Sequence, residues 1–569
     1  MNPDIHTPDL KLTSDESSVL KSTDSSSQSP QNADRIDRRG FLTQVGKVAT
    51  GVALGAVAPR LISPKSARAE ALASSSAPNI LIIMVDQWRS PVWFPDPTAL
   101  AALLPNTSAL FSQSVDFTNY FTAATACSPA RGTFVTGLYA PQTAVLLTQH
   151  NDEAPNLNPG FPTFGTLLQQ QGYETFWYGK WHLSNYSPKD TPSLEEYGFA
   201  GGTFPSPNGS AGQGLEDDPN IAQQFTQWLS AQSGATPWCT TVSLINPHDV
   251  CQYYKGTNTV PGENDPPTVI TQMPGNFETT AQLANKPKLQ LAFLKKMEKE
   301  YGQLPHSGTG YQTPWLTLLN TYLYCEQLVD QQIGTVLSAL AGSQYASNTM
   351  VIFTADHGEY GGSHGLHDKA GALYEEAIHV PFYVKNVGNV GAGTTRPQLC
   401  SSVDVIGLLL SLASGGEGWR EQYPYLSARA AMGQILLNPS TPGRDYILHT
   451  TDENWAPEEN TTNSYDADIP LHAISYRTST AKLGLYSFWD EDTVEIAPDG
   501  HELEFYDYST PEGAIELKST PSSELATDYY NKLIHEAIPN ELRQPLPSSL
   551  TGYRREAIDA YVAYLKSLN

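Results

Sequence analysis

The sequence predicts an α/β fold: a large domain with a central, mostly parallel sheet flanked by helices, followed by a smaller α+β C-terminal domain with an antiparallel sheet. Three observations carry this. From Asn79 onward, short β-branched runs alternate with amphipathic stretches. The first run, Asn79 to Val85, is apolar after its first residue, as befits a strand buried on both faces. Beyond about residue 435 the runs become strand-like, with few helical intervals.

Taken in chain order, residues 1 to about 35 are rich in Ser, Asp, Gln and Pro and read as a disordered leader. Arg38-Arg39, a mild apolar run from Val48 to Ala58, and Ala67-Arg68-Ala69 follow. A twin-Arg pair, a short weakly apolar run and an A-x-A site together look like a Tat export signal. Residues 1–69 are therefore expected to be a leader and signal peptide, 70–434 the main domain and 435–569 the smaller one. The mature chain would be periplasmic or secreted, exported by the Tat translocase. No apolar run reaches the ~20 residues a membrane-spanning helix requires.

The strand runs Asn79 to Val85, Glu174 to Tyr178, Cys239 to Ile245 and Thr349 to Thr354 share one property. Each stops just before charged or metal-binding side chains: Asp86; Lys180 and His182; His248 and Asp249; Asp356 and His357. In open α/β sheets ligands bind beyond the carboxyl ends of the strands, so these four tips define one expected site. Between them, Trp315 to Leu340 carries apolar residues at helical spacing, interrupted by Glu326. Val403 to Leu412 reads as another helix. Strands are expected at 444–449, 472–478, 482–489 and 502–508, and a closing helix at 554–568.

Composition excludes some partners. The 569 residues are 40% hydrophobic and 16% charged, an ordinary globular balance. Acidic residues outnumber basic ones 59 to 33, for a net charge of -26, which opposes binding to nucleic acid. Five cysteines are too few for a disulfide framework, and none forms a C-x-x-C pair. Whether Cys239 and Cys251 bridge is open from sequence.

Cys127-Ser128-Pro129-Ala130-Arg131-Gly132 precedes the helix-compatible stretch Thr133 to Leu138. Proline in a first turn places Cys127 at a helix N-terminus, where free N–H groups favour anions and would acidify a thiol. Alone, the same cysteine also reads as a small buried core residue.

Cys127-x-Pro129-x-Arg131 with Gly132, and Gly172 through Gly179-Lys180-Trp181-His182, resemble the two signatures of the sulfatase family, within the alkaline-phosphatase-like superfamily. The resemblance continues through Asn246-Pro247-His248, Asp356-His357-Gly358, Gly365 to Lys369, Tyr374-Glu375 through Val380-Pro381, and Glu504 to Asp507. It implies that a formylglycine-generating enzyme converts Cys127 to formylglycine (3-oxoalanine), whose hydrate attacks a small anionic sulfate ester. It further implies one divalent cation held by Asp86, Gln87, Asp356, His357 and the residue at Cys127. Lys180, His248 and Lys369 would contact the sulfate oxygens, and Arg131 and His182 would steady the nucleophile. Asp356 would help activate it, and His182 would act as base when sulfate leaves. His248 or Lys369 would protonate the leaving alcohol.

The chain departs from the commonest family pattern in having Asp86-Gln87 and Asp356-His357 where many sulfatases have Asp-Asp and Asp-Asn. This set resembles the subgroup of phosphonate monoester hydrolases and, at the second site, choline sulfatases. One carboxylate fewer and one imidazole more shift the expected metal from Ca²⁺ towards Mn²⁺, with Mg²⁺ also compatible. Two alternatives to a sulfatase follow: a phosphonate monoester or phosphodiester hydrolase using the same site, and a non-catalytic periplasmic binding protein on this scaffold. Substrate choice would rest on the loops Thr203 to Asn220 and Gln252 to Gly275.

Overall fold

The computed structural model describes residues 77–568 except 95–96, 150–153, 186–190, 256–267, 453–467 and 490–499. The expected leader and export signal therefore lie outside the described residues, as does part of the 252–275 loop.

An eight-stranded sheet forms the centre. At its heart lie four parallel strands: β1 (Asn79–Asp86), β2 (Glu174–Gly179), β3 (Trp238–Pro247) and β4 (Thr349–Ala355), in spatial order β4-β1-β3-β2. Phe382–Lys385 pairs antiparallel on the far side of β4, so the sheet is mostly parallel as expected. Ile80 through Val85 are completely buried. At ~1.5–3 kcal/mol for each fully buried large apolar side chain, this strand anchors the core.

Register then fixes where the chemistry sits. Val85 lies beside Ala355 and Asp86 beside Pro247, so β1, β3 and β4 end level with one another. Asp86, His248 and Asp356 consequently emerge at one edge. Gly179 ends β2 at φ +91°, where an added Cβ would lie 1.9 Å from the Ser243 carbonyl oxygen. Only glycine permits that approach, which lets the Lys180 N–H donate to the same oxygen at 3.0 Å and turns the lysine into the site.

Helices cover the sheet. Helix α1 (Cys127–Thr136) is wholly buried, with Cys127 as its first residue. The expected helix at 315–340 is α3 (Gln312–Ala341), and its Glu326 is buried with the apolar stripe. Helix α2 (Gln213–Ala231) corrects one expectation, because residues 213–220 were assigned to a loop. Pro219 obscured the helix, whereas the Asp218 carboxylate binds it to β3 by accepting the Ile245 and Asn246 N–H groups at 2.6 and 3.0 Å.

The smaller sheet has strands Glu502–Asp507, Ala481–Ser487, His472–Arg477 and Ile447–Thr451, antiparallel as expected. Its last strand, however, is Ala124–Thr125, paired parallel to Ile447–Thr451. The C-terminal strands are thus hydrogen-bonded to the segment that leads directly into Cys127. Among the described residues no helix is long and apolar enough to cross a membrane.

Candidate active site at the ends of the parallel strands

Six of the expected residues meet in one buried hollow. Cys127 Sγ lies 3.3 Å from His357 Nε2, 3.7 Å from Asp86 Oδ1 and 3.6 Å from Lys180 Nζ. Arg131, one turn along α1, spans both aspartates: Nη2 is 3.0 Å from Asp86 Oδ2 and Nε 3.0 Å from Asp356 Oδ2. Its remaining nitrogen donates to the Lys180 carbonyl and to Ser243 Oγ. Lys180 Nζ adds a 2.7 Å ion pair to Asp86 Oδ2.

This arrangement divides each carboxylate. The Oδ2 atoms face the cations, whereas Asp86 Oδ1 and Asp356 Oδ1 lie 3.6 and 3.7 Å from His357 Nε2. His357 Nδ1 contacts the Gly358 carbonyl at 3.1 Å. A carbonyl only accepts, so Nδ1 carries the proton and Nε2 offers its lone pair inward. Asp86, Cys127, Asp356 and His357 each place a ligand atom within 4.8 Å of the others. Two carboxylate oxygens and an imidazole nitrogen suit a divalent cation such as Mn²⁺.

The other expected residues stand around this centre. Gln87, at φ +68°, donates its backbone N–H to Asp356 Oδ1 at 3.1 Å. Its side-chain oxygen accepts from Lys369 Nζ at 2.7 Å, while its nitrogen donates to Glu359. Lys369 also pairs with Asp368 at 3.1 Å. The His248 ring packs on Gly209, where a Cβ would come within 2.6 Å of it. His182 contacts the Gln149 carbonyl at 2.8 Å, and the Gln149 N–H donates to Ser128 beside the cysteine. Its link to Cys127 thus runs through intermediaries.

Burial and neighbouring charge set the protonation states. Burial alone would raise Asp86, but Lys180, with His248, Arg131 and His357, outweighs it and holds the carboxylate well below its usual range. Lys369 stays protonated: Asp368 and the surrounding acidic groups override the opposing effect of burial. Burial, with Lys369 and Lys180 adding to it, keeps His248 neutral.

Cys127 reverses the expectation of an acidified thiol. Burial and Asp86 push it up to about 12, against the pull of Lys180 and Lys369. Complete desolvation at the helix N-terminus decides the sign here. All five cysteines are free, so Cys239 and Cys251 are not bridged.

Sequence reasoning missed Ser243, Cys251, Glu359 and Asp368. Cys251 Sγ lies 3.2 Å from Gln87 Oε1, and Glu359 accepts the Gly361 and Asp368 N–H groups at 2.9 and 2.8 Å. Glu359, just after Asp356-His357-Gly358, carried a signal as an acidic residue at a buried strand tip. Cys251 carried none.

The Sulfatase family model matches residues 78–416. A choline-sulfatase of Rhizobium meliloti is 26% identical over 60% of this chain and 68% of its own length. An uncharacterized sulfatase of Escherichia coli, YidJ, is 27% identical over 54% of this chain, and the match spans 62% of that protein. Among solved structures, the phosphonate monoester hydrolase of Silicibacter pomeroyi shares the fold with a TM-score of 0.62 at 18% identity, over 83% of this chain and 97% of that one. A phosphonate monoester hydrolase of Agrobacterium radiobacter gives 0.55 at 20% identity, over 80% and 95%. With its two signatures folded into one hollow, the chain belongs to the sulfatase family.

Proposed function

We propose that the protein is an exported, metal-dependent hydrolase that cleaves sulfate esters with a formylglycine made from Cys127. The observation that carries this reading is the position of Cys127: first residue of α1, within 3.7 Å of His357, Asp86 and Lys180, with its own thiol pushed up to about 12. A thiol so protonated is a poor nucleophile, and an oxygen nucleophile at the same point would sit among these groups. Formylglycine, when present, supplies that oxygen and a route for sulfate release. A divalent cation held by Asp86, Gln87, Asp356 and His357 would supply Lewis-acid polarisation of the ester.

The chain's own residues do the rest. Arg131 holds Asp86 and Asp356 in place, so their Oδ1 atoms share one side with His357. Lys180 and Lys369 bind the anionic ester and offset charge gained as the ester bond breaks. Lys369 or His248 gives the leaving alkoxide its proton. An incoming anion raises His248 from its neutral state by offsetting the nearby lysines.

The same cationic hollow accommodates a phosphonate monoester or phosphodiester, a second reading favoured by Gln87 and His357 in place of a carboxylate and an amide. Peptide mass analysis around Cys127 from natively expressed protein, paired with rates on an aryl sulfate and an aryl phosphonate monoester, tests both. An aldehyde with faster sulfate turnover supports the sulfatase. An intact thiol together with hydrolysis unchanged in Cys127→Ala would overturn formylglycine catalysis and leave the binding-protein alternative.

A further inference from the structure

A second buried cluster lies apart from the residues assigned above. His364, Glu376 and Glu516 each place a ligand atom within 4.8 Å of the others, and all three are at most 2% exposed. They come from three segments: the glycine-rich loop after β4, the short helix Glu375–Ile378, and the chain beyond the last strand of the smaller sheet.

Around His364 and Glu376 the cluster is rich in lone pairs and poor in protons, whereas Glu516 accepts from the Tyr508 hydroxyl at 2.8 Å and the Glu375 N–H at 3.0 Å. His364 Nδ1 lies 2.8 Å from Glu278 Oε2, so Nδ1 carries the ring proton and Nε2 is an acceptor. Asn276 Nδ2 faces three acceptors: His364 Nε2 at 3.0 Å, Glu376 Oε1 at 2.7 Å and the Ile515 carbonyl at 3.3 Å. An amide nitrogen has two protons for them. Glu376 Oε2 is buried with no hydrogen-bond partner and lies 3.8 Å from His364 Nε2. Of the nearby cations, Lys482 serves Glu516 and the others are engaged outside the cluster. Arg477 forms a two-bond pair with Glu375, Lys482 pairs with Glu516 at 2.6 Å, and Lys286 with Glu278 at 3.1 Å. Among the described residues, no lysine or arginine pairs with Glu376.

A buried carboxylate oxygen lacking both donor and counter-charge is costly, and a cation removes that cost. We propose that His364, Glu376 and Glu516 bind a second divalent ion, of the Zn²⁺ or Mn²⁺ type, which ties the loop carrying Lys369 to the C-terminal segment. The imidazole and carboxylate donors favour these ions over Ca²⁺. The Glu278–His364 bond is the outer support typical of a metal-bound imidazole.

The test is a metal count on the full-length chain, stripped with chelator, reloaded with Zn²⁺ or Mn²⁺ and freed of excess ion. The wild type is expected to hold two ions, Glu376→Gln one, and Asp356→Asn one. Equal counts in wild type and Glu376→Gln would overturn the proposal. If Asp356→Asn retains the wild-type count while Glu376→Gln loses one ion, the second site stands and the metal assignment of the active site fails. Should Glu376→Gln not fold, pulsed electron paramagnetic resonance of Mn²⁺ on Asp356→Asn decides. Imidazole nitrogen coupling is expected, and its absence would overturn the site.

Discussion

The active-site hollow and the cluster at His364, Glu376 and Glu516 bury similar groups with opposite results. In the hollow, Arg131 and Lys180 both point at Asp86, which is held ionised against its desolvation. In the second cluster, burial drives Glu516 up to about 7 despite Lys482, and His364 down to about 3. Charge survives burial where cations converge on one anion, and is suppressed where they are spread over several. The first arrangement keeps an ionised carboxylate among cations; the second leaves a carboxylate oxygen without a partner.

The largest expected effect breaks the hollow chemically. Cys127→Ala should lower hydrolysis by roughly 10³-fold or more, with the melting temperature nearly unchanged, because formylglycine would be lost while a small buried side chain is replaced by another. Steady-state rates and calorimetry check both halves. Removing a cation in the hollow and one beside the second cluster comes next. Arg131→Met and Arg477→Met each strand buried carboxylates and should destabilise by about 3–5 kcal/mol in denaturant unfolding. Arg131→Met should also abolish turnover, whereas Arg477→Met should retain it below its unfolding temperature. Loss of turnover in both would erase the distinction between the clusters.

The smallest effect calibrates burial without any counter-charge. Burial raises Asp116, on the strand Val115–Phe117, to about 7. A folded value above the unfolded ~3.9 means that its contribution to stability is full below about pH 4 and is lost as pH rises through 7. Asp116→Asn should therefore stabilise more at pH 8 than at pH 5, by about 2–3 kcal/mol at most. An equal gain at both values would show that the carboxyl is solvated.

Much of this was legible before folding. The apolar run Ile80 to Val85 announced a doubly buried strand, and polar residues just past four such strands announced the hollow. The strand predicted at 444–449 appears at Ile447–Thr451, and that at 482–489 at Ala481–Ser487, because alternation marks a strand's middle better than its ends. Cys251 and Glu359 were missed because their roles come from contacts with Gln87, 164 and 272 residues away. The thiol of Cys127 was misjudged because helix position is local, whereas its desolvation depends on everything packed around it.

By itself, then, the sequence determined the order of strands and helices, the residues at the strand tips and the family signatures, since these depend on local pattern and covalent spacing. Tertiary structure alone decided that Arg131 bridges two aspartates, that Ala124–Thr125 joins the smaller sheet, and that Glu376 Oε2 lacks a partner. Coulomb energy and desolvation depend on distance and on excluded water, and neither is set until distant segments pack.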